Sequence, residues 1–353
     1  MSPNSFISSS NSRHFLTGFA LAASLLLLCG SGLGLYLGPP SGDLMRIGRM
    51  ASIDWQPTRS QAPLSVMANP PDGPTDVLVL GDSFSAANAW QSEVSRRHGL
   101  RLETWHYNSI VCLDDWLQRR LRDPSTNAPR HIIVQSIERE TLARFSAPAQ
   151  DCSPGKQAPR ALAVPASTLR SDDLPSLYPV DLRYLLAAAT HHFRSSNEQG
   201  RQQRRSAVTV DLTDSARFSN RRAARLAYFH GDERQWEDWT AARQSAAVRY
   251  FEQLRTLAAA HGKQLHIVIV PNKSTSYAPW VKPGQRTDHR QPELFTELEA
   301  VLGRDSNYLP AFRHAAGQQI DFYRPDDTHL SLDGYRGLAE LVARRSGLEK
   351  RLP

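Results

Sequence analysis

Two short stretches of the chain carry residues whose types and order suit acyl-group chemistry. GDSFS (residues 81–85) follows the apolar run DVLVL (76–80), and FYRPDDTHLSLDGY (322–335) lies near the C-terminus. A serine hydroxyl is a weak nucleophile until a neighbouring imidazole takes its proton. The imidazole in turn needs a carboxylate to fix its tautomer and stabilise its cation. Ser83 offers the hydroxyl, His329 the base, and an aspartate two or three residues earlier, Asp327 or Asp326, the carboxylate. Each stretch alone is a weak signal. Gly-Asp-Ser arises by chance in roughly one chain in ten of this length, and Asp-x-x-His is often a surface turn that caps the next helix. Ser331 has the character of such a cap, since a helix over about 332–344 follows it. A loop can cap a helix and still deliver a histidine.

Placement strengthens the serine. A short apolar run bounded by turn residues suits a buried parallel strand, and a helix is expected over 86–98 (AANAWQSEVSRRH). Residues at the carboxyl ends of parallel strands face the ligand crevice. A helix N-terminus there offers backbone N–H groups to a developing oxyanion. Further strands are predicted over 100–107, 131–137 and 265–270, with helices over about 112–123 and 238–261 between them. Strands alternating with helices imply an α/β fold with a parallel sheet covered on both faces. The stretch 147–237 breaks this alternation. Pro-rich at first and then strongly basic (HHFRSSNEQGRQQRR, RFSNRRAARLAYF), it is expected to be an insertion, partly loop and partly helix. Its basic residues form either a solvated surface or a cover that attracts an anionic glycan or docks a partner.

Other polar residues fall near the same expected edge. Asn108 follows the second strand, Gln135 lies near the end of the third with Arg139 just after it, and Lys273 and Tyr277 follow the fourth; all are candidates for oxyanion or substrate binding. Lys273 could neutralise a uronate or phosphate, or be an ordinary loop lysine, and Glu138-Arg139 has the character of a structural ion pair. His191-His192 is expected to be solvated. Cys112 and His131 show no metal-ligand spacing with other residues, so no metal is expected.

Composition sets the surroundings. Hydrophobic residues make up 40% and charged residues 22% of the 353, an ordinary globular balance. The formal charge of +7 favours anionic partners. No zinc-finger spacing, Walker loop or RNA-binding aromatic signature is present, so nucleic acid is not expected. Residues 15–38 (FLTGFALAASLLLLCGSGLGLYLG) contain no charge, and about 20 apolar residues cross a bilayer as a helix. This run is too long for a cleaved signal peptide, and Leu28 before Cys29 does not fit a lipoprotein site. An uncleaved signal-anchor is expected, with 1–14 as a short cytoplasmic tail and 39–75, rich in Pro, Ser and Gly, as a linker. Arg13 before the span is balanced by Arg46 and Arg49 after it. Orientation therefore rests on the short tail and the long polar remainder, which favour an exported domain. Cys112 and Cys152 would then pair or remain two buried thiols.

Taken together, VLVLGDSFS (77–85), IIVQSIERE (132–140), IVPNKSTSY (269–277) and FYRPDDTHLSLDGY (322–335) resemble the SGNH hydrolase superfamily. The resemblance is closest to its membrane-anchored acetyltransferase branch, related to the alginate O-acetylation proteins, and covers most of 76–345. It implies a flavodoxin-like three-layer αβα catalytic domain over 76–353, with Ser83 as nucleophile, His329 as base and no cofactor. The general superfamily spacing selects Asp326 as the supporting carboxylate, whereas the alginate-type Asp-Thr-His string selects Asp327, which is favoured. Two departures stand out. Leu330 occupies the place of a family tryptophan, and no Gly-x-Asn-Asp follows the third strand; the Asp-His element follows the serine, as in ordinary SGNH enzymes, whereas in some alginate-type members it precedes it. The implied activity is O-acetylation of a cell-envelope or exported polysaccharide at the periplasmic side of a bacterial inner membrane. The acetyl group would be relayed by a multi-span membrane acyltransferase. A carbohydrate esterase with the same triad and a non-catalytic glycan-binding component are the alternatives.

Overall fold

The computed structural model describes residues 9–38, 41–66, 74–110, 112–122, 129–146, 167–169, 182–194, 199–285 and 293–349. Strands are numbered in chain order. The central sheet takes β2 (Val77–Gly81), β3 (Leu102–His106), β4 (His131–Ile137) and β9 (Gln264–Val270), all parallel, in the order β3-β2-β4-β9. A short antiparallel pair joins β1 (Leu64–Val66) to β5 (Ser167–Leu169), while β6 (Gln202–Arg204), β7 (Ala207–Asp211) and β8 (Arg225–Phe229) form an antiparallel meander.

The near-continuous apolar runs of the central strands follow from burial on both faces. Val77, Val79, Ile133, Ile137, Val268 and Val270 enter one core with Trp90, Val94, Phe312, Leu338 and Val342. Their neighbours in sequence, among them Leu78, Leu80, Ile132, Val134 and Ile267, enter another with Leu117, Phe251, Leu254 and Leu298. Helices Ala89–His98, Leu309–Gln318 and Leu332–Arg345 cover the first face, and Leu113–Arg122, Ala241–Ala260 and Glu293–Leu302 the second. In chain order the four central strands run 2-1-3-4, as in the first part of a flavodoxin-like sheet, and successive crossovers diverge between the first and third strands. Ser83 follows that first strand, β2, directly.

Several elements differ from the sequence reading. The expected helix over 86–98 is two pieces, Ser83–Ala86 and Ala89–His98, broken at Asn88, whose φ of 52° is left-handed. The insertion holds a sheet as well as the helix Leu182–Arg194. Val208, Val210, Leu226 and Tyr228 are β-branched, aliphatic or aromatic residues that complete the main core, and the arginines around them mask this pattern in the sequence. Arg225 in that run pairs with Asp211 at 3.3 Å rather than with solvent. Residues 147–166 and 170–181 of the insertion lie outside the described residues.

The N-terminal helix Ser9–Leu37 contains a stretch, His14–Leu37, with mean hydropathy 1.9 and Phe15, Leu16, Phe19 and Leu25 through Leu28 exposed, so it is long and apolar enough to cross a membrane. The segment after this helix is not a spacer. Leu37 is buried with Ala51, Tyr184 and Ala188, and Leu44, Met45, Met50 and Trp55 are buried against Ala207 and Ala227 of the meander. The Pro/Ser/Gly content suggested a loose tether, but these four large apolar side chains anchor its first part to the domain. Helix Leu182–Arg194 packs beside the end of the span and leaves Leu182, Leu186 and Phe193 exposed there. His191 is buried and His192 Nδ1 lies 2.9 Å from Asp54 Oδ2, so this pair is not solvated as expected.

Candidate active site

Ser83 opens the turn after β2, and the fold packs that turn tightly. A Cβ at Gly81 would lie 2.5 Å from both Cβ and Oγ of Ser85, so only glycine fits. Asp82 caps the turn by accepting the Phe84 N–H at 3.0 Å and the Ile137 N–H of the neighbouring strand at 2.6 Å. Gln135 is fully buried beneath them. Its amide donates to Asp82 at 3.0 Å, and its oxygen accepts from the Ser85 hydroxyl at 2.7 Å and the Asp82 N–H at 3.2 Å. Gln135 is therefore a brace for the nucleophile turn and not an oxyanion donor as the sequence reading had it, because both of its polar atoms are already committed. Ser83 itself is exposed, and its N–H meets no acceptor among the described residues.

His329 arrives from the loop before Leu332–Arg345, the helix that Ser331 caps by accepting the Gly334 N–H at 3.1 Å. Its Nε2 lies 2.9 Å from Ser83 Oγ, and its Nδ1 lies 2.7 Å from Asp327 Oδ1. The same Asp327 oxygen accepts the His329 backbone N–H at 3.0 Å, while Phe84 packs on the imidazole with ring centroids 4.8 Å apart. Burial opposes charge on the imidazole, but Asp327 outweighs it and leaves the His329 pKa above its ordinary 6.5. Burial likewise works against the Asp327 carboxylate. The His329 charge and hydrogen bonds nevertheless hold it well below the usual carboxylate range.

Asp326 does not share this role. It is fully buried and faces away from the imidazole, forming an ion pair with Arg324 (3.1 and 3.0 Å) and accepting the Ser41 hydroxyl at 2.6 Å. The two adjacent aspartates point to opposite sides of the loop, and Asp327 is the one that meets His329.

Two other candidates also turn inward. Lys273 is fully buried with its Nζ donating to the carbonyls of Arg324, Pro325 and Asp327 at 2.5, 3.1 and 3.1 Å. Burial pulls its pKa down to about 8, against the pull of Asp326, Asp327 and Asp43. It holds the histidine loop and cannot reach a glycan. Replacing it with methionine should take the shared buried donor from those carbonyls and cost about 3–5 kcal/mol, read as an earlier urea midpoint. Wild-type stability with weakened acceptor binding would restore the glycan role. Tyr277 is fully buried too, its hydroxyl accepting the Tyr323 N–H at 3.3 Å.

Arg139 and Asn108 remain at the carboxyl edge. Asn108 is exposed, two residues beyond His106, which pairs in register with Gly81. Arg139 pairs with buried Asp232 at 3.3 Å, not with Glu138, and its charge still opposes protonation of His329. Glu138 is a buried carboxyl pushed up to about 8 by burial, and it accepts from the Asn272 N–H (2.7 Å) and the Thr275 hydroxyl (3.0 Å). Leu330 is fully buried.

The sequence reading missed Asp43. Its carboxylate accepts from the Thr328 N–H and hydroxyl at 2.9 and 2.6 Å, and nothing in its local spacing marked it. Asp43, Asp327 and His329 form a group close enough to hold a metal ion, but the short Asp327–His329–Ser83 chain already uses the imidazole.

No protein-family model matches the chain, and comparison with curated proteins and with solved structures gives no match.

Proposed function

We propose that the chain is a serine-dependent acyltransferase of SGNH type, an O-acetyltransferase acting on a cell-envelope or exported polysaccharide. The observation that carries this reading is the continuous chain from Asp327 Oδ1 through both imidazole nitrogens to an exposed serine Oγ, at 2.7 and 2.9 Å. Ser83 Oγ attacks the acyl carbonyl while its proton passes to His329 Nε2. The imidazolium then protonates the departing group and leaves an acyl-serine. A sugar hydroxyl attacks that ester, its proton passes to His329, and Ser83 leaves with the proton returned. The Ser83 N–H, and Asn108 at the same edge, are the groups available to the oxyanion.

Membrane placement supports a transferase fed from a multi-span partner. Leu37 ends the apolar helix, and the six residues 38–43 span at most about 22 Å, so Ser83 works close to the bilayer surface. Cys112 is disulfide-bonded, Cys29 is free and Cys152 lies outside the described residues. A disulfide suits an oxidising compartment, and hence a domain on the periplasmic side.

His329 can accept the serine proton only when neutral. Because its pKa is raised above 6.5, kcat/KM for an activated acetyl ester should fall as pH drops through a midpoint above 6.5. A profile flat from about pH 5 to 8 would remove His329 from the base role. Transfer is separated from hydrolysis by the fate of the acyl-enzyme. A transferase keeps its acetyl group in water and discharges it to an added oligosaccharide, whereas an esterase discharges at once.

A further inference from the structure

The residues at the membrane exit have no part in the chemistry described so far, yet they pack against its carboxylate and histidine. A Cβ at Gly42 would lie 2.1 Å from the Asp326 carbonyl oxygen, so the two backbones touch. The Ser41 hydroxyl donates to Asp326 Oδ2 at 2.6 Å, and Arg324 reaches back to the Ser41 carbonyl at 3.4 Å. The Asp43 N–H donates to Asp327 Oδ2 at 3.1 Å, on the oxygen that His329 leaves open. Asp43 Oδ1 and Oδ2 take both donors of Thr328, and Oδ2 stands 3.9 Å from His329 Nδ1.

We propose that Asp43 is a positioning residue for the Asp327–His329 pair, and that through it the segment leaving the membrane helix, residues 41–43, is a working part of the active centre. The proposal rests on the serine acyl-transfer reading for its catalytic meaning, though not for its geometry. Two effects combine. The Thr328 contacts fix the backbone that carries His329, and the second carboxylate adds negative charge behind the imidazole.

The charged and titratable groups around Asp43 are Asp327 and His329 on the facing loop and Arg324 and Lys273 behind it, with Tyr335 on the last helix. Arg139 faces His329 from the β4 edge. Burial, and then the Asp327 charge, push the Asp43 carboxyl up to about 6. Above its own midpoint the Asp43 carboxylate therefore favours the imidazolium of His329. Removing its charge lowers the His329 pKa and moves the acid limb of reactivity to lower pH.

The test uses the full chain in nanodiscs, with Asp43→Asn and Asp43→Ala beside the wild type. Asparagine can still accept the Thr328 N–H through its oxygen and donate its NH2 to the Thr328 hydroxyl oxygen, but it carries no charge, so it is the variant expected to fold. Three quantities are read: the His329 titration by NMR of labelled histidine, the rate of Ser83 labelling by a fluorophosphonate across pH, and the melting temperature. Asp43→Asn should lower the His329 pKa by about one unit and shift the labelling midpoint with it at nearly unchanged melting temperature. Asp43→Ala should in addition lower the high-pH labelling plateau about tenfold, as expected of a misplaced base.

An unmoved His329 pKa with wild-type labelling in both variants would overturn the proposal. So would a lowered melting temperature with the pKa unmoved, since Asp43 would then be a structural tether alone. A wild type in which Ser83 is never labelled would instead sink the acyl-transfer reading, while the His329 titration would still decide whether Asp43 controls the imidazole.

Discussion

Ser83→Ala should abolish the covalent adduct that intact-mass spectrometry detects after brief exposure of the protein to an activated acetyl ester. The wild type should gain one acetyl group, and the variant none. The expected loss of turnover is about 10⁴-fold or more, because removing the nucleophile of a serine triad leaves only oxyanion stabilisation and binding. Stability should barely change. Ser83 is exposed, and among the described residues its hydroxyl bonds only to His329 Nε2, itself part-exposed, so no buried partner among them is stranded. An adduct that persists in the variant would mean that another residue is the nucleophile. A wild type that never acquires one, even with fast quenching and no ester turnover, would move the reading to a glycan-binding component.

The second large effect separates two neighbouring aspartates. Asp327→Asn should lower kcat about 10⁴-fold, because an amide facing His329 Nδ1 favours the wrong tautomer and gives no support to the imidazolium; it also gives up the acceptor of the His329 N–H or of the Asp43 N–H, at about 1–3 kcal/mol of stability. Asp326→Ala should act mainly on stability instead. It removes the carboxylate that meets the buried Arg324 guanidinium at 3.0 Å. Breaking such a pair costs about 3–5 kcal/mol. The comparison therefore needs both kcat and a urea transition for each variant. If Asp326→Ala stays stable but loses its rate, the assignment of the two carboxylates is inverted. A pair of variants affected equally in both measures would show that the loop acts as one unit.

Much of this arrangement was legible from local patterns. The strand before Ser83 announced itself as an apolar run closed by Gly81, and the observed β2 ends on that glycine. β4 and β9 fall within one residue of their expected bounds, because parallel strands buried on both faces leave few polar positions to blur them. The Ser331 cap was readable for a similar reason, since a capping hydroxyl acts only three residues along the chain. The meander of β6, β7 and β8 was not readable. Its apolar residues sit among arginines whose partners, such as Asp211 for Arg225, come from another strand.

For the candidate site, the sequence alone determined the reacting groups and which element each would follow. Serine, histidine and a nearby aspartate are chemical identities, and a strand–turn–helix pattern places the serine at a carboxyl edge. Only the tertiary structure decided direction. Asp326 and Asp327 are adjacent and chemically identical, and the choice between them depends on which side of the loop meets Arg324 and which meets His329. Gln135, Lys273 and Tyr277 were placed correctly at the edge but turn inward, where the packed turn and loop satisfy their polar atoms. Asp43 lies 286 positions from His329 in the chain. Its approach to the triad is set by the burial of Leu44, Met45 and Trp55, an apolar contact between distant segments that no local spacing records.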